Sequence, residues 1–513
     1  MASVEALRRR ALRLDDALAR PWAVPVAIGA LCVLTLWLRT RALQAGFWID
    51  EGISVGIAHH SWSSLVHVLR HDGSPPAYYL LLRAWIAWFG DTERATHALS
   101  LVFGVACVPL AYAFGRVVFD RRTGLACALL AALDPYLTYY AQETRMYELE
   151  AFLSLVVGLA YVQAIVRGRR MWAPLLAAGL VGMVYTHNWG LFLCLGLAVA
   201  TFVVVRERLG LFAIVAAVVA VLYLPWLASL LYQVRHTGAP WASVPGWRDL
   251  VTAPDAILTG DGPFVALVLA AGVGLGGVLR GRSGEERTVV TALAWATGVT
   301  IVSAWLVSQF SPSWTTRYFA VVLGPLLLLA ARAIVRAGRL GLAVLVIVVF
   351  FWAGYSVRDD KENARAIAAG LGTLQPGELV ISTHPEQVPV LRYYLGPNPR
   401  FATTLGPVAD PRAFDWVDAV DRLRAAGPRQ TLDRLIATVP RGREFVVVTP
   451  VFRDYRAWRA KWTKLVWEKS QAWTQLLQSD PRLRLERHVA TNEIAIHRNY
   501  FKPLQAFVYR RVG

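Results

Sequence analysis

The chain has 513 residues, of which 56% are hydrophobic and only 17% are charged. Apolar runs recur from Trp22 to Tyr355, which is typical of a polytopic membrane protein and excludes an ordinary soluble enzyme. The formal net charge is +18, but the basic residues form short clusters between the apolar runs and not one continuous face, so nucleic acid is excluded as a partner.

The N-terminal segment carries arginines at residues 8–10, ahead of a first apolar run over residues 22–38. This pattern resembles a secretory signal, but no small-residue cleavage site follows before Arg39, which favours a signal anchor that is retained. Residues 1–21 are therefore predicted to be a cytoplasmic segment, and the first outer loop is predicted to span residues 39–96.

The basic clusters predict the topology. Residues 75–89 form an apolar stretch of only 15 residues that opens with two prolines and contains Arg83, which favours a re-entrant or juxtamembrane segment over a crossing. With that stretch not crossing, every later basic cluster falls on the cytoplasmic side; with it crossing, the positive-inside rule would be broken at several loops. The count is then about 11 crossings, in a polytopic helical domain predicted for residues 22–356.

Residues 357–513 differ from the rest of the chain, because charge density rises and the apolar runs shrink to strand length. Residues 379–382 and 445–449 predict short buried strands, and residues 457–477 predict a helix with a row of tryptophans on one face. That row could stack on sugar rings, but a buried face is favoured. We predict a C-terminal α/β domain, placed outside the cytoplasm by the same topology.

Two adjacent carboxylates, Asp50 and Glu51, follow the first apolar run at the point where the chain leaves the membrane. Carboxylates there lose part of their hydration, so they typically bind a cation, pair with a base or perform chemistry. The apolar residues over 53–69 predict an amphipathic helix on the membrane surface, which would hold both carboxylates at a fixed depth.

Two further motifs fall on the same side of the membrane. One is Ser74-Pro75-Pro76-Ala77-Tyr78-Tyr79, and the other is the polar and aromatic turn that ends in Tyr-Ala-Gln-Glu-Thr-Arg-Met-Tyr at residues 140–147. The same topology places His187 and the dipeptide Arg317-Tyr318 on that side. Together with the Asp50-Glu51 segment, the two motifs make three on one side of the membrane, which predicts a pocket there.

These motifs resemble, in order and spacing, the GT-C superfamily of polyprenyl-phosphate-sugar transferases, particularly protein O-mannosyltransferases, aminoarabinose transferases and related bacterial mannosyltransferases. The resemblance covers roughly residues 22–325. It departs from the family pattern at Ser74, where a His or Lys commonly precedes the paired prolines, and at His97, where an Arg is expected; His71 and Arg94 lie close enough in sequence to substitute.

The resemblance implies an inverting glycosyltransferase of the plasma (inner) membrane, which moves mannose or a pentose from a polyprenyl-phosphate donor to an extracytoplasmic glycan, lipid or protein acceptor. Asp50 would be the general base, with Glu51 as a second catalytic carboxylate. Arg145 and Arg317 would bind the donor phosphate, because a guanidinium can bind phosphate in a bidentate way. The remaining predicted substrate-binding residues are Glu143, Tyr147, His71, His187 and Tyr318.

Metal dependence is left open by the residues. Glu51 and Glu143 could hold a divalent cation, orient the acceptor or merely pair with a neighbouring arginine. His60, His67 and His71 fall on one helical face, but the seven-residue step between the first two exceeds the usual ligand spacing, so no metal site is assigned.

Two other functions compete with glycosyl transfer. A transporter of cell-envelope lipid or polysaccharide is disfavoured, because the spans hold few ionisable residues at mid-depth and no pair of broken helices. An inert scaffold is disfavoured because the two carboxylates of the first loop occur together with Glu143 and Arg145.

Overall fold

A computed structural model gives the structure of residues 20–258, 261–281, 284–355, 357, 361–451, 459–490 and 503–513. The arginines at residues 8–10, nearly all of the predicted cytoplasmic segment, and Trp458 of the predicted tryptophan row lie outside the described residues.

Helices dominate the chain up to residue 355. In order they are α1 (Ala23–Arg39), α2 (Ile49–Ala58), α3 (Trp62–Asp72), α4 (Ala77–Phe89), α5 (Glu93–Val118), α6 (Arg121–Leu133), α7 (Pro135–Tyr140), α8 (Tyr147–Tyr161), α9 (Ala173–Thr186), α10 (Gly190–Val204), α11 (Leu209–His236), α12 (Trp247–Val251), α13 (Ala253–Ile257), α14 (Asp261–Arg280), α15 (Glu285–Phe310), α16 (Ala320–Arg336) and α17 (Arg339–Ala353).

Six helices of the described chain are long and apolar enough to cross a membrane, namely α5, α8 with its π-helical continuation Val162–Val166, α11, α14, α15 and α16. The helices α1, α10 and α17 are shorter and apolar. The count of 11 crossings stays a prediction, because it also needs the shorter helices α6 and α9.

The short helix α4 has 13 residues. At 1.5 Å per residue it is about 20 Å long, which is less than the ~30 Å hydrocarbon core of a bilayer. Its inner face buries Tyr78, Tyr79 and Leu82, while Trp88 and Phe89 at its end are exposed. This geometry agrees with a juxtamembrane or re-entrant segment.

The amphipathic segment is two helices, and the prediction of one continuous helix over residues 53–69 was wrong. The first, α2, ends at Ala58, and α3 starts after Ser61, whose hydroxyl accepts a hydrogen bond from the Ser64 backbone N–H at 3.2 Å. A serine cap of this kind starts a new helix even where the apolar periodicity continues across the break. His60 lies in the turn, so it does not share a helical face with the histidines of α3.

The C-terminal α/β domain contains a six-stranded sheet in the order β3-β2-β1-β4-β6-β5. Its strands are β1 (Leu379–Ser382), β2 (Arg400–Thr403), β3 (Gly406–Pro407), β4 (Glu444–Pro450), β5 (Leu483–Val489) and β6 (Leu504–Arg511). Strand β1 pairs in parallel with both β2 and β4, and β6 runs antiparallel to β4 and β5. The predicted strands over 379–382 and 445–449 correspond to β1 and β4.

Helices cover both faces of this sheet. They are α18 (Ala364–Leu371), α19 (Val388–Leu395), α20 (Ala419–Ala425), α21 (Pro428–Ala437) and α22 (Lys461–Ser479). Leu432 of α21 and Trp473 of α22 pack under one face, and residues of α18 and α19 pack on the other. Trp462 and Trp473 are fully buried, so the tryptophan row of α22 is a buried face, as the spacing favours.

The C-terminal domain packs directly on α2. Phe47 and Val55 join the apolar cluster formed by α18, α19 and the sheet. The two glycines of α2 permit this approach: a Cβ on Gly52 would lie 2.6 Å from the Val390 Cα, and one on Gly56 would lie 1.9 Å from the Arg412 carbonyl oxygen. The helix that carries Asp50 therefore touches the backbone of the C-terminal domain.

The predicted sidedness can be tested with single cysteines at exposed positions, after the four native cysteines are replaced. Ser63→Cys in α3 and Ser479→Cys in α22 should react with a membrane-impermeant thiol reagent added to intact cells. Arg287→Cys, at the exposed start of α15 in a basic cluster, should react only after permeabilisation. Labelling of Arg287→Cys alone in intact cells would invert the topology.

Candidate active site

A cavity of about 980 Å³ lies where the N-terminus of α2, the turn before α8, the turn after α9 and the segment before α16 meet. Six of the residues predicted to form the site line this cavity: Asp50, Glu143, Arg145, His187, Arg317 and Tyr318. The loops that the basic clusters assign to one side of the membrane therefore converge on one space.

Asp50 lies at the centre of the polar wall, in the first turn of α2. Its Oδ2 accepts a hydrogen bond from Arg317 Nη1 at 2.8 Å and lies 3.9 Å from Arg145 Nη2. Its side chain keeps 21% of its surface exposed, facing the cavity. Two guanidinium groups and the positive end of a helix thus surround a carboxylate that a substrate can still reach.

Both arginines are held in place by contacts within the protein, but each guanidinium group has a donor, Nε, for which the described residues supply no acceptor. Arg145 Nη1 donates to the Ser54 hydroxyl at 2.9 Å, and the Tyr136 hydroxyl donates to the Arg317 carbonyl oxygen. Among the described residues, neither arginine Nε has a hydrogen-bond acceptor, although both atoms are buried. A buried donor without an acceptor costs about 1 to 3 kcal/mol, so this pair of groups fits an anion that enters the cavity.

Glu51 lies behind Asp50 and does not line the cavity. Its Oε1 lies 2.6 Å from His97 Nε2 and 3.0 Å from the Lys361 ammonium, and it also accepts a hydrogen bond from the Thr144 backbone N–H at 2.8 Å. Burial alone would raise the pKa of Glu51, but the Lys361 ammonium and the His97 ring hold it well below its usual value. The structure thus gives this carboxylate charge partners within the protein.

Lys361 is a site residue that sequence reasoning missed. Its ammonium, which is buried, donates to Glu51 and to the Gln142 carbonyl oxygen at 2.6 Å. It follows the last membrane helix in a segment without any motif, so only the folded chain brings it to the first outer loop. The lysine and His97 occupy the space beside Glu51, which accounts for a histidine at a position where the family resemblance led us to expect arginine.

Asp72 is a second residue that sequence reasoning missed. It is the last residue of α3, directly before the Gly-Ser-Pro-Pro motif, and it lines the cavity although its side chain is buried. Burial raises the pKa of Asp72 to about 6, against smaller opposing effects of the Ser74 hydroxyl and the Arg145 guanidinium. A carboxylate ending an amphipathic helix looks like a solvated surface group in sequence, which is why it was overlooked.

Glu143 also lines the cavity, and its side chain is fully buried. Burial raises the pKa of Glu143, with the Lys361 ammonium lowering it and the Glu51 carboxylate raising it further. This carboxyl group is therefore protonated more easily than that of an exposed glutamate.

His187, Tyr318 and Tyr147 form an aromatic group at the side of the cavity. The His187 ring centroid lies 4.3 Å from that of Tyr318 and 6.4 Å from that of Tyr147. Tyr147 is buried beneath the wall, with its hydroxyl 3.5 Å from Arg145 Nη2. Burial, followed by the two guanidinium groups, lowers the pKa of His187 to about 3, so it contributes a neutral imidazole.

His71 lies outside the cavity wall. Its ring stacks on Tyr232, and its Nδ1 lies 3.9 Å from Asp415 Oδ1 of the C-terminal domain. Arg94, the other residue considered as a substitute in the family pattern, is exposed on α5. The structure does not bring either side chain to Asp50.

The similarity of this chain to known proteins is found by comparing structures and not by comparing sequences. No protein-family model matches it, and neither does any curated protein sequence. ArnT from Cupriavidus metallidurans bound to undecaprenyl phosphate superposes with a TM-score of 0.61 at 15% identity, covering 95% of this chain and 98% of that one. The apo form of the same protein gives 0.59 at 16% identity, covering 96% and 98%.

An archaeal protein is similar over a shorter length. The Archaeoglobus fulgidus oligosaccharyltransferase in complex with Zn and sulfate gives a TM-score of 0.54 at 13% identity, covering 83% of this chain and 68% of that one. At these identities the likeness concerns the fold. The chain therefore shares the fold of these structures, and the prediction of a polytopic helical fold with a C-terminal α/β domain is confirmed.

Loss of Lys361 should destabilise the protein. Lys361→Met leaves a buried carboxylate with fewer charge partners, and breaking such a pair costs about 3 to 5 kcal/mol. Arg365→Met is the matched control, because Arg365 pairs with Glu93 at the surface and exposed pairs contribute about 0 to 1 kcal/mol. In detergent, the thermal unfolding midpoint of Lys361→Met should fall well below that of the control. Equal midpoints would contradict the assigned importance of this contact.

Proposed function

We propose that the protein is a glycosyltransferase that moves a sugar from a polyprenyl-phosphate donor to an acceptor hydroxyl, with Asp50 as general base. The observation that carries the proposal is the placement of Asp50 between Arg317 and Arg145 in one cavity. The shared fold supports it, because the ArnT structure was solved with undecaprenyl phosphate, and a structure of the Archaeoglobus fulgidus oligosaccharyltransferase, AglB, was solved with a dolichol-phosphate.

The cavity suits a lipid phosphate. Next to the two guanidinium groups, its wall is apolar where α10, α11 and α15 contribute side chains, namely Leu191, Phe192, Leu230, Val234 and Val307. A polyprenyl chain would lie against this wall while its phosphate meets Arg145 and Arg317. The unpaired Nε groups then gain the acceptors that the protein does not supply.

The proposed reaction depends on competition between Asp50 and the donor phosphate for contact with the arginines. In the structure Asp50 pairs with Arg317, and a donor phosphate would take over part of that contact. The carboxylate is then free to take the proton of the acceptor hydroxyl, while the acceptor oxygen bonds to the anomeric carbon and the bond from that carbon to the phosphate oxygen breaks. The released polyprenyl phosphate carries the growing negative charge, which both guanidinium groups stabilise.

The finer assignments rest on the family resemblance. We propose mannose or a pentose as the sugar, the plasma (inner) membrane as the location, and an active site and C-terminal domain outside the cytoplasm. The steps above do not require a divalent cation, because the arginines already supply positive charge at the phosphate.

Asp50→Asn should slow sugar transfer without weakening binding of the donor. We expect the transfer rate to fall by roughly 10² to 10⁴, because the acceptor proton has no base to receive it. Donor binding should be unchanged or tighter, because the variant removes the carboxylate that competes with phosphate for Arg317. Both are measured with a radiolabelled polyprenyl-phosphate sugar. A variant that transfers within a few-fold of the parent would remove Asp50 from this role.

Arg145→Lys and Arg317→Lys should each weaken use of the donor, because the charge stays but the planar fork is lost. A charge-assisted hydrogen bond contributes about 1.5 to 3 kcal/mol, so the apparent donor KM should rise by about ten-fold or more, or kcat/KM should fall to match. Arg170→Lys is the control, since Arg170 is exposed in the loop before α9. Donor kinetics equal to those of the control would mean that other groups bind the phosphate.

A further inference from the structure

The C-terminal domain forms one wall of the cavity. It contributes residues from four separate segments of that domain, namely Val357 and Lys361, Glu386, Trp416, and Thr463. The rest of the lining includes the arginine pair and the apolar side chains of the membrane helices. The two parts of the lining therefore differ in chemistry, and the proposed donor contacts involve only the second part.

Glu386 comes from the loop that follows β1. Strand β1 lies between β2 and β4 and is parallel to both. Helix α19, which follows β1, packs on one face of the sheet, and α21, which precedes β4, packs on the other. The carboxyl ends of β1 and β4 therefore lie at a point where the connections change faces, which is where open α/β sheets bind ligands.

This loop is unusually polar for a buried segment. Thr383, His384, Glu386 and Gln387 are all buried, with Glu386 keeping only 4% of its surface. His384 Nε2 lies 2.6 Å from Glu386 Oε1, and the Ser382 hydroxyl donates to the His384 carbonyl oxygen at 2.8 Å. Burying such groups is costly, and loops that keep them are commonly functional. The imidazole fixes the orientation of a carboxylate that reaches the cavity.

We infer that Glu386 binds the acceptor and that the acceptor is a carbohydrate. This inference rests on the proposed glycosyl transfer and assigns the acceptor side of the same cavity. A carboxylate held by an imidazole accepts hydrogen bonds from hydroxyl groups and repels a phosphate or carboxylate, so an anionic acceptor group does not fit beside it.

The neighbouring side chains suit a sugar ring. Two largely buried residues line the cavity as well. The Thr463 hydroxyl donates to the Ala460 carbonyl oxygen at 3.2 Å, and the Trp416 ring packs against Trp241, 4.5 Å away between centroids, and against Trp462 at 5.2 Å. A ring with hydroxyls at its edge and C–H groups on its faces matches such a mixed wall. A sugar held there would present a hydroxyl to Asp50.

The test uses the full-length protein, a radiolabelled polyprenyl-phosphate sugar and three acceptor probes, namely short mannose and arabinose oligosaccharides, a Ser/Thr-containing peptide and a lipid without sugar. Glu386→Gln should raise the apparent KM for the oligosaccharide by about ten-fold or more, while donor KM stays within about two-fold. Glu386→Asp should recover part of the loss. Glu468→Gln, an exposed glutamate of the same domain on α22, should behave like the parent.

Direct binding keeps this inference separate from glycosyl transfer. Equilibrium dialysis of the labelled oligosaccharide should show binding by the parent and at least ten-fold weaker binding by Glu386→Gln, at matched unfolding midpoints. If the parent binds the oligosaccharide but neither binds nor turns over any donor, the proposed function fails and the sugar site stands. The inference is overturned if the peptide or the lipid is the accepted probe, or if Glu386→Gln changes donor and oligosaccharide use equally.

Discussion

The site depends on the buried contact among Glu51, His97 and Lys361. A carboxylate that has lost its water is unfavourable unless charge and hydrogen bonds replace the hydration, and here an ammonium, an imidazole and a backbone N–H do so. Each partner comes from a different part of the chain. Because Asp50 is next to Glu51 and Arg145 is next to Thr144, the same contact sets the relation between the candidate base and one of the candidate phosphate ligands.

Two parts of the chain give the cavity lining different chemistry. The membrane domain contributes two guanidinium groups and apolar side chains, and the C-terminal domain contributes Lys361, Glu386 and Thr463. An anionic lipid would therefore be drawn to the guanidinium groups, whereas a neutral polyol would not.

Sequence reasoning located the parts of the site that lie in motifs or at basic clusters. The positive-inside pattern brought Asp50, Glu143 and Arg317 to one side, and the structure places all three on one cavity. It missed Lys361 and Glu386, which reach the cavity only because a distant domain folds back on α2. It also missed the break before α3, because apolar periodicity is the same across one helix or two, while a single serine cap decides between them.

The contact between α2 and the C-terminal domain has a consequence for biosynthesis. Gly52 and Gly56 leave no room for a methyl group between α2 and the backbone at Val390 and Arg412. The helix that carries Asp50 is synthesised well before the residues it packs against, since Lys361 follows Glu51 by 310 residues. Insertion of the first helices into the membrane therefore cannot by itself complete the surroundings of Asp50, which form only when the C-terminal domain folds against α2.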